Sequence, residues 1–327
     1  MELSFEAQAA QPNFRYDVTQ PLLQGRVAIE GVTLKVSGAT SSAGYFDNPK
    51  FKDGDFQLLD NNWGDVIPAI DAGWDVVALP LFVKRKPVYN YLWVRADRGI
   101  DSPKDLEGKT LATGGYQSAI TTYTRGFLQH FYGVDLTKLR WLSAGAKRWE
   151  VHSPRVQVEY ASGPAKSATQ RLLDGEVDGT TGDILDPKVW DALETNPGVK
   201  RLFPDYQELN KRLFTEHGIV TPVHILVIGG RLNGSEPTLA RRVYDAVQRS
   251  TEVAYADALG DSSGYSMTIH NRELMRAQLK EWGDVWTHGI AANRNTIDTF
   301  LDYNFEQGLT NSRLSLDQVF ANGTLDT

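Results

Sequence analysis

The sequence predicts an α/β fold arranged in two lobes. Short β-branched runs alternate with longer stretches of helical periodicity, the pattern that builds sheets covered by helices. Strand–helix units crowd residues 95–220, while the first ninety residues supply mainly strands and the last hundred mainly helices. With 327 residues, the chain is long enough for about two domains of ordinary size.

Leu3 to Phe5 and Val32 to Val36 read as strands, with a short helix at Val18 to Leu23 closed near Gly25. Phe56 to Leu59 reads as a strand ending in a loop, Asp60-Asn61-Asn62, because three turn formers in a row favour a chain reversal. A helix follows at Gly64 to Ala72, then a buried strand at Val76 to Phe82. Tyr89, Tyr91 and Trp93 alternate with Asn90, Leu92 and Val94, which predicts a strand over Tyr89 to Arg95. Ser102-Pro103-Lys104-Asp105-Leu106 is a capped helical turn with proline at its first position. Gly108 to Ala112 begins a strand, and Gly114-Gly115 opens a helix carrying Ile120, Tyr123, Phe127, Leu128 and Phe131 to a stop at Gly133.

Strands are expected at Leu139 to Leu142, Val177 to Thr180 and Val223 to Ile228, and a helix at Pro164 to Leu173. Ser235-Glu236-Pro237 should cap a long helix, with two more helices at Leu274 to Trp286 and Ile297 to Phe305. One economical arrangement places residues 1–92 and 225–327 in the first lobe and 93–224 in the second. Extended segments near 85–95 and 218–228 would join them. Ligands of such sheets bind beyond the carboxyl ends of strands, so the expected site is a cleft between the lobes.

Composition narrows the function. The net charge of −7 and the absence of any basic run longer than Lys84-Arg85-Lys86 argue against nucleic-acid binding, which needs a basic face. No cysteine is present, which removes thiolate nucleophiles and cysteine-held zinc or iron–sulfur centres. The longest apolar run, Val76 to Val83, is interrupted by Pro80 and is too short to span a membrane. Met1-Glu2-Leu3-Ser4-Phe5-Glu6 shows neither the basic start nor the apolar stretch of a secretory signal, so a cytoplasmic location is expected. No metal-binding spacing, dinucleotide fingerprint, phosphate loop or nucleophile elbow occurs, and neither a metal nor an organic cofactor is expected.

Several segments carry a resemblance. Arg98-Gly99-Ile100 with Ser102 to Lys109, and Leu173-Asp174-Gly175-Glu176-Val177-Asp178-Gly179, resemble elements of type 2 periplasmic-binding-protein folds. More specific are Gly126-Phe127-Leu128-Gln129, Arg140-Trp141, Arg201 to Tyr206, Gly218 to His224 and Ala291 to Thr296, continuing to Phe300-Leu301 and Glu306 to Leu309. In this order they resemble the 4,5-dihydroxyphthalate decarboxylase family, from about residue 77 onward. The resemblance implies a cytoplasmic enzyme on a solute-binding-protein fold that releases CO2 from a hydroxylated aromatic dicarboxylate. The chain departs from the family where Tyr16-Asp17-Val18-Thr19 lacks an arginine, where Asp60 to Gly64 replaces a serine-rich stretch, and where Lys84 to Tyr91 lacks a histidine.

Such a reaction needs cations for carboxylates, a proton donor for the ring carbon and groups that hold phenol oxygens. His224 interrupts an apolar strand and is the candidate donor, since imidazole titrates near neutrality. Arg85 and Arg148 are candidate carboxylate clamps, guanidinium being suited to bidentate pairing. Tyr116, Gln117 and Ser118, after two glycines, form a candidate anion seat at a helix start. Thr181 suits an oxygen-rich ligand and Asp183 can accept from a phenol, while Asn61 and Trp63 could bind and stack on a flat ring. The expected partner is a small aromatic or organic acid, with no nucleic acid or membrane; self-association is left open. A non-catalytic solute-binding protein of a transporter or sensor is the rival reading, and another lyase or hydrolase on the same scaffold is a third.

Overall fold

The computed structural model describes residues 1–11, 16–38, 49–153, 156–162, 166–182, 184–260 and 268–327. Its strands are β1 (Glu2–Ala7), β2 (Thr33–Gly38), β3 (Leu58–Asn62), β4 (Val76–Arg85), β5 (Trp93–Arg95), β6 (Thr110–Thr113), β7 (Arg140–Ser143), β8 (Gln157–Tyr160), β9 (Gly179–Thr181), β10 (Val199–Arg201) and β11 (Pro222–Gly229). The longer helices are α1 (Trp63–Asp71), α2 (Ala119–His130), α3 (Pro187–Thr195), α4 (Tyr206–His217), α5 (Leu239–Leu259), α6 (Asn271–Trp282) and α7 (Arg294–Glu306). None of the described helices is long and apolar enough to cross a membrane. Two compact units result: unit 1 is Met1–Arg85, His224–Ile297 and Leu314–Thr327, and unit 2 is Lys86–Val223 and Asp298–Arg313.

Unit 1 contains a five-stranded sheet in the order β2-β1-β3-β11-β4. β1 runs parallel to β2 and β3, and β11 runs antiparallel to β3. Alternating Leu3, Phe5 and Ala7 of β1 are buried against Leu79, Leu81 and Val83 of β4, Leu226 and Ile228 of β11, and Val243 and Val247 of α5. The buried apolar positions of α5, among them Leu239, Val243, Ala246 and Val247, fall three or four residues apart along one stripe, with Ser250 accepting from the Leu22 N–H at its end. Full burial of each such aliphatic side chain contributes about 1.5–3 kcal/mol before the entropy of ordering is set against it.

Unit 2 contains a six-stranded sheet in the order β10-β5-β9-β6-β7-β8. β6 to β9 pair in parallel, and β5 runs antiparallel to β9 and β10. The turn at Pro103–Leu106 carries the capping box expected of it, Ser102 and Asp105 exchanging hydrogen bonds. Residues 86–92 and 298–313 cluster with unit 2, whereas the sequence reading placed them in the first lobe. Packing gives the reason. Tyr89 stacks on Phe127 at 5.7 Å, and Gln307 bonds both Arg125 and the Thr122 carbonyl.

Several local expectations give way. Asp60-Asn61-Asn62 is not a loop: it lies in β3, paired with β11, because a non-local partner overrides turn propensity. Val88–Tyr91 is a 3₁₀ turn, with Asn90 N–H donating to the Pro87 carbonyl, and the strand begins only at Trp93. The helix after Gly114-Gly115 starts at Ala119, so Tyr116 and Gln117 belong to the turn before it. α5 is preceded by Thr238 at its cap position instead of Ser235, which closes a short helix of its own. β8 and β10 were not anticipated; each is too short for alternation to register. Pro164, read as a helix start, lies outside the described residues; the helix is described over Ala168–Leu173.

Two contacts give measurable consequences. His288 is buried; its Nδ1 accepts from the Phe82 N–H at 3.2 Å and its Nε2 lies 3.0 Å from the Thr251 hydroxyl. Burial, with the nearby Arg85 charge second, lowers its pKa from 6.5 to about 3. The unfolded chain therefore takes up a proton below about pH 6.5 that the native state refuses, so this stabilisation is present above pH 6.5 and drains as pH falls toward 3. Denaturant titrations from pH 8 to pH 5 should show wild type losing about 2 kcal/mol more than His288→Asn. The second contact is at Gly126 in α2, where an added Cβ would sit 2.1 Å from the Tyr303 ring of α7. Gly126→Ala should gain up to about 1 kcal/mol of helix propensity and lose about 1–3 kcal/mol to overpacking. A lowered denaturation midpoint is the expected result.

Candidate functional site

The antiparallel register of β3 and β11 sets His224 opposite Asn62 and Leu226 opposite Asp60. Side chains two apart share a face of a strand, so Asp60 and His224 meet diagonally across the pair. Asp60 Oδ1 lies 3.2 Å from His224 Nδ1, and both residues are 3% exposed. Asp60 Oδ2 accepts from the backbone N–H of Gln8 at 2.7 Å. The Tyr16 hydroxyl donates to Gln8 Oε1 at 2.7 Å, and its ring meets the His224 ring edge-on with centroids 6.1 Å apart. The Lys84 ammonium on β4 stands 5.9 Å from the same Tyr16 ring. A carboxylate, an imidazole, a phenol and an ammonium thus cluster within unit 1. An imidazole tied to a carboxylate at one nitrogen can give and take a proton at the other.

The remaining unit 1 candidates go elsewhere. Arg85 is buried, its Nη2 donating to the Thr287 carbonyl at 2.8 Å and to Asn293 Oδ1 at 2.6 Å, with its guanidinium 5.0 Å from the Phe82 ring. It ties the end of β4 to the segment before α7. Asn61 faces the side of β3 opposite Asp60, since neighbours in a strand alternate. Its Oδ1 accepts from Asn62 N–H, while its buried Nδ2 has no acceptor among the described residues. Trp63 is fully buried, 5.3 Å from Phe82, at the start of α1, whose N-terminus is capped by the Asn62 side chain on Gly64 N–H.

In unit 2 the parallel strands end in loops that touch backbone to backbone. A Cβ on Gly145, after β7, would lie 2.5 Å from the Gly114 carbonyl, after β6. Only glycine permits that approach. Gly114, Gly145, Tyr91, Lys166, Thr181 and Gly182 help line a cavity of about 350 Å³ at these strand ends. Thr181 bonds the Thr124 hydroxyl at 3.1 Å, and Thr124 donates to the Ile120 carbonyl at 2.8 Å. Ser118 bonds Thr121 at 2.8 Å, Thr121 bonds Thr113 at 2.7 Å, and Thr113 donates to the Gly115 carbonyl at 3.2 Å. Each hydroxyl has one proton, so these terminal carbonyls order both chains. Thr181 and Ser118 spend their protons inward and keep lone pairs, which suits them to accept from a hydroxyl more than to hold a carboxylate.

Tyr116 and Gln117 are buried. Above the Tyr116 ring, at 3.7 Å, lies the guanidinium of Arg125, a residue of α2 that the sequence reading passed over. Arg125 is fully buried and donates to Gln307 Oε1 and the Tyr116 carbonyl, each at 2.7 Å, and to the Thr122 hydroxyl at 3.3 Å. These acceptors are neutral, and burial lowers its pKa to about 10, still well above neutrality. The turn at 114–118 therefore rests on a positive core. Arg148 is partly exposed in the loop after β7, beside the pair Lys147–Glu150. Asp183 lies outside the described residues. Among the described residues, no three His, Asp or Glu side chains are grouped closely enough to hold a metal ion. Asp60 and Arg125 are the additions to the sequence-derived set; the register of β3 on β11 exposes the first, and the burial of α2 on all sides the second.

No protein-family model matches the chain. It is 28% identical over 321 residues to a 4,5-dihydroxyphthalate decarboxylase of Comamonas testosteroni, covering 95% of this chain and 96% of the relative. A 4,5-dihydroxyphthalate decarboxylase of Pseudomonas putida is 27% identical over 127 residues, 38% of this chain and 48% of that one. Among solved structures, the putative periplasmic sulfonate-binding protein SsuA of Methylobacillus flagellatus superposes with a TM-score of 0.56 at 15% identity, over 98% of this chain and 91% of that one. The periplasmic aliphatic sulphonate-binding protein SsuA of Escherichia coli gives 0.52 at 15% identity, over 100% and 99%. These likenesses agree with the motifs and the sheet topology: the chain is similar over nearly its whole length to a 4,5-dihydroxyphthalate decarboxylase, and its α/β fold is that of the periplasmic sulfonate-binding proteins it superposes on.

Proposed function

We propose that the protein is a decarboxylase of hydroxylated aromatic carboxylates, with a dihydroxyphthalate as the model substrate. The observation that carries the reading is the buried Asp60–His224 pair in a chain that aligns over nearly its full length with a decarboxylase. In the proposed reaction the bond from ring to carboxylate breaks and CO2 leaves. The electron pair stays on the ring carbon and takes a proton from the imidazolium of His224, which ends neutral and is reprotonated from solvent. A ring hydroxyl supplies the electron density that makes this carbon basic. Lys84, whose ammonium stands 5.9 Å from the Tyr16 ring in the same cluster, is the proposed counter-charge for the carboxylate in unit 1, with Arg85 of the same strand kept as a second proposed cation. In unit 2, Ser118, Thr181, Tyr116, Gln117, Arg148 and Asp183 stay proposed ligand contacts, while Asn61, turned to the far face of β3, and the fully buried Trp63 are not proposed to meet the substrate. The proposed site of action is the cytoplasm.

Incubation of the protein with 4,5-dihydroxyphthalate should release CO2 and give the dihydroxybenzoate. His224→Ala should cut turnover by about 10²–10⁴-fold, the usual worth of a positioned general acid, while substrate still raises the melting temperature. Binding without CO2 from wild type would favour a solute-binding role, and full turnover by His224→Ala would remove the histidine from the mechanism.

A further inference from the structure

The two oxygens of Asp60 have different neighbours. Oδ2 receives the backbone N–H of Gln8 at 2.7 Å, and Oδ1 faces Nδ1 of His224 at 3.2 Å. A backbone amide donates and cannot accept. An ionised carboxylate accepts at both oxygens, so the ring nitrogen facing it must carry the hydrogen. We propose that Asp60, anchored by the Gln8 main chain, is a positioning residue that holds neutral His224 as the Nδ1–H tautomer and so confines proton exchange to Nε2. The functional consequence rests on the decarboxylase reading, but the tautomer does not. When the imidazolium gives its Nε2 proton to the ring carbon, the neutral form left behind is the one Asp60 accommodates.

The geometry makes Asp60→Asn informative. The amide oxygen is required at Gln8, so the NH2 group must turn toward His224, where it can only donate. Nδ1 then has to be bare, and the neutral ring carries its hydrogen on Nε2. The same change penalises proton release from Nε2, because the product tautomer would set N–H against N–H. Gln8→Pro deletes the anchoring donor. Proline fits there, since a 3₁₀ turn begins at Gln8 and Ala7 before it is extended, with φ −110° and ψ 127°. In the double variant the side-chain amide introduced at position 60 is free to turn its oxygen back to His224.

The test is nitrogen NMR of the full chain with labelled histidine, at a pH where the rings are neutral. The His224 signals are assigned by their loss in His224→Gln. Wild type should show a protonated Nδ1 and a bare Nε2, Asp60→Asn the reverse, and Asp60→Asn with Gln8→Pro at least partial return to the first pattern. Turnover of 4,5-dihydroxyphthalate by Asp60→Asn should fall about 10²–10⁴-fold in kcat with little change in KM. A wild-type Nε2–H tautomer overturns the proposal, as does a folded Asp60→Asn that keeps Nδ1–H. Should Asp60→Asn fail to fold, the wild-type spectrum alone decides. The expected tautomers with no turnover by wild type would sustain the positioning role and sink the decarboxylase reading.

Discussion

The antiparallel pairing of β3 with β11 is the constraint on which the candidate chemistry depends. Those strands are far apart in sequence, and their register alone sets Asp60 diagonal to His224. A slip of one residue would turn every side chain of a strand to the other face and separate the two groups. Apolar neighbours in the same strands, Leu58, Leu59, Leu226 and Ile228, are buried at 0–1% exposure on both faces of the sheet. The pairing of β3 with β11 thus carries the polar pair into the hydrophobic core of unit 1.

Much of the fold was legible because it is local. Helical periodicity located α2, α5 and α7, and apolar runs located β4 and β11. The lines of reading that failed did so where a distant partner decides. Asp60-Asn61-Asn62 has the composition of a turn, and only β11 beside it makes a strand of it. His224 stood out as a polar residue in an apolar strand, yet its carboxylate partner lay in a segment read as loop. Arg125 was hidden for another reason. A charged residue in an amphipathic helix is ordinarily taken for its wet face, but every residue of α2 from Ala119 to Leu128 is buried, so the helix has no wet face there.

The arginines illustrate how little charge alone reveals. Arg85 was expected to meet a ligand, and in the structure its Nη2 fastens β4 to the segment at 287–293. Arg125 has neutral acceptors and two aromatic rings about it, the Trp141 ring being 5.4 Å away. A buried cation compensated by dipoles keeps much of its field, because the interior screens it weakly. Its effect is felt at the Tyr116 turn, whose carbonyl it holds.

The carboxylate of Asp60 takes its bearing from the peptide group of Gln8, not from any side chain at that position. Every amino acid except proline presents that same N–H. Mutational drift at position 8 can thus leave the anchor of Asp60 in place, although a residue other than glutamine would cost the Tyr16 hydroxyl its acceptor beside His224. What the anchor itself has to conserve is the path of the chain where β1 ends, a property of architecture more than of spelling.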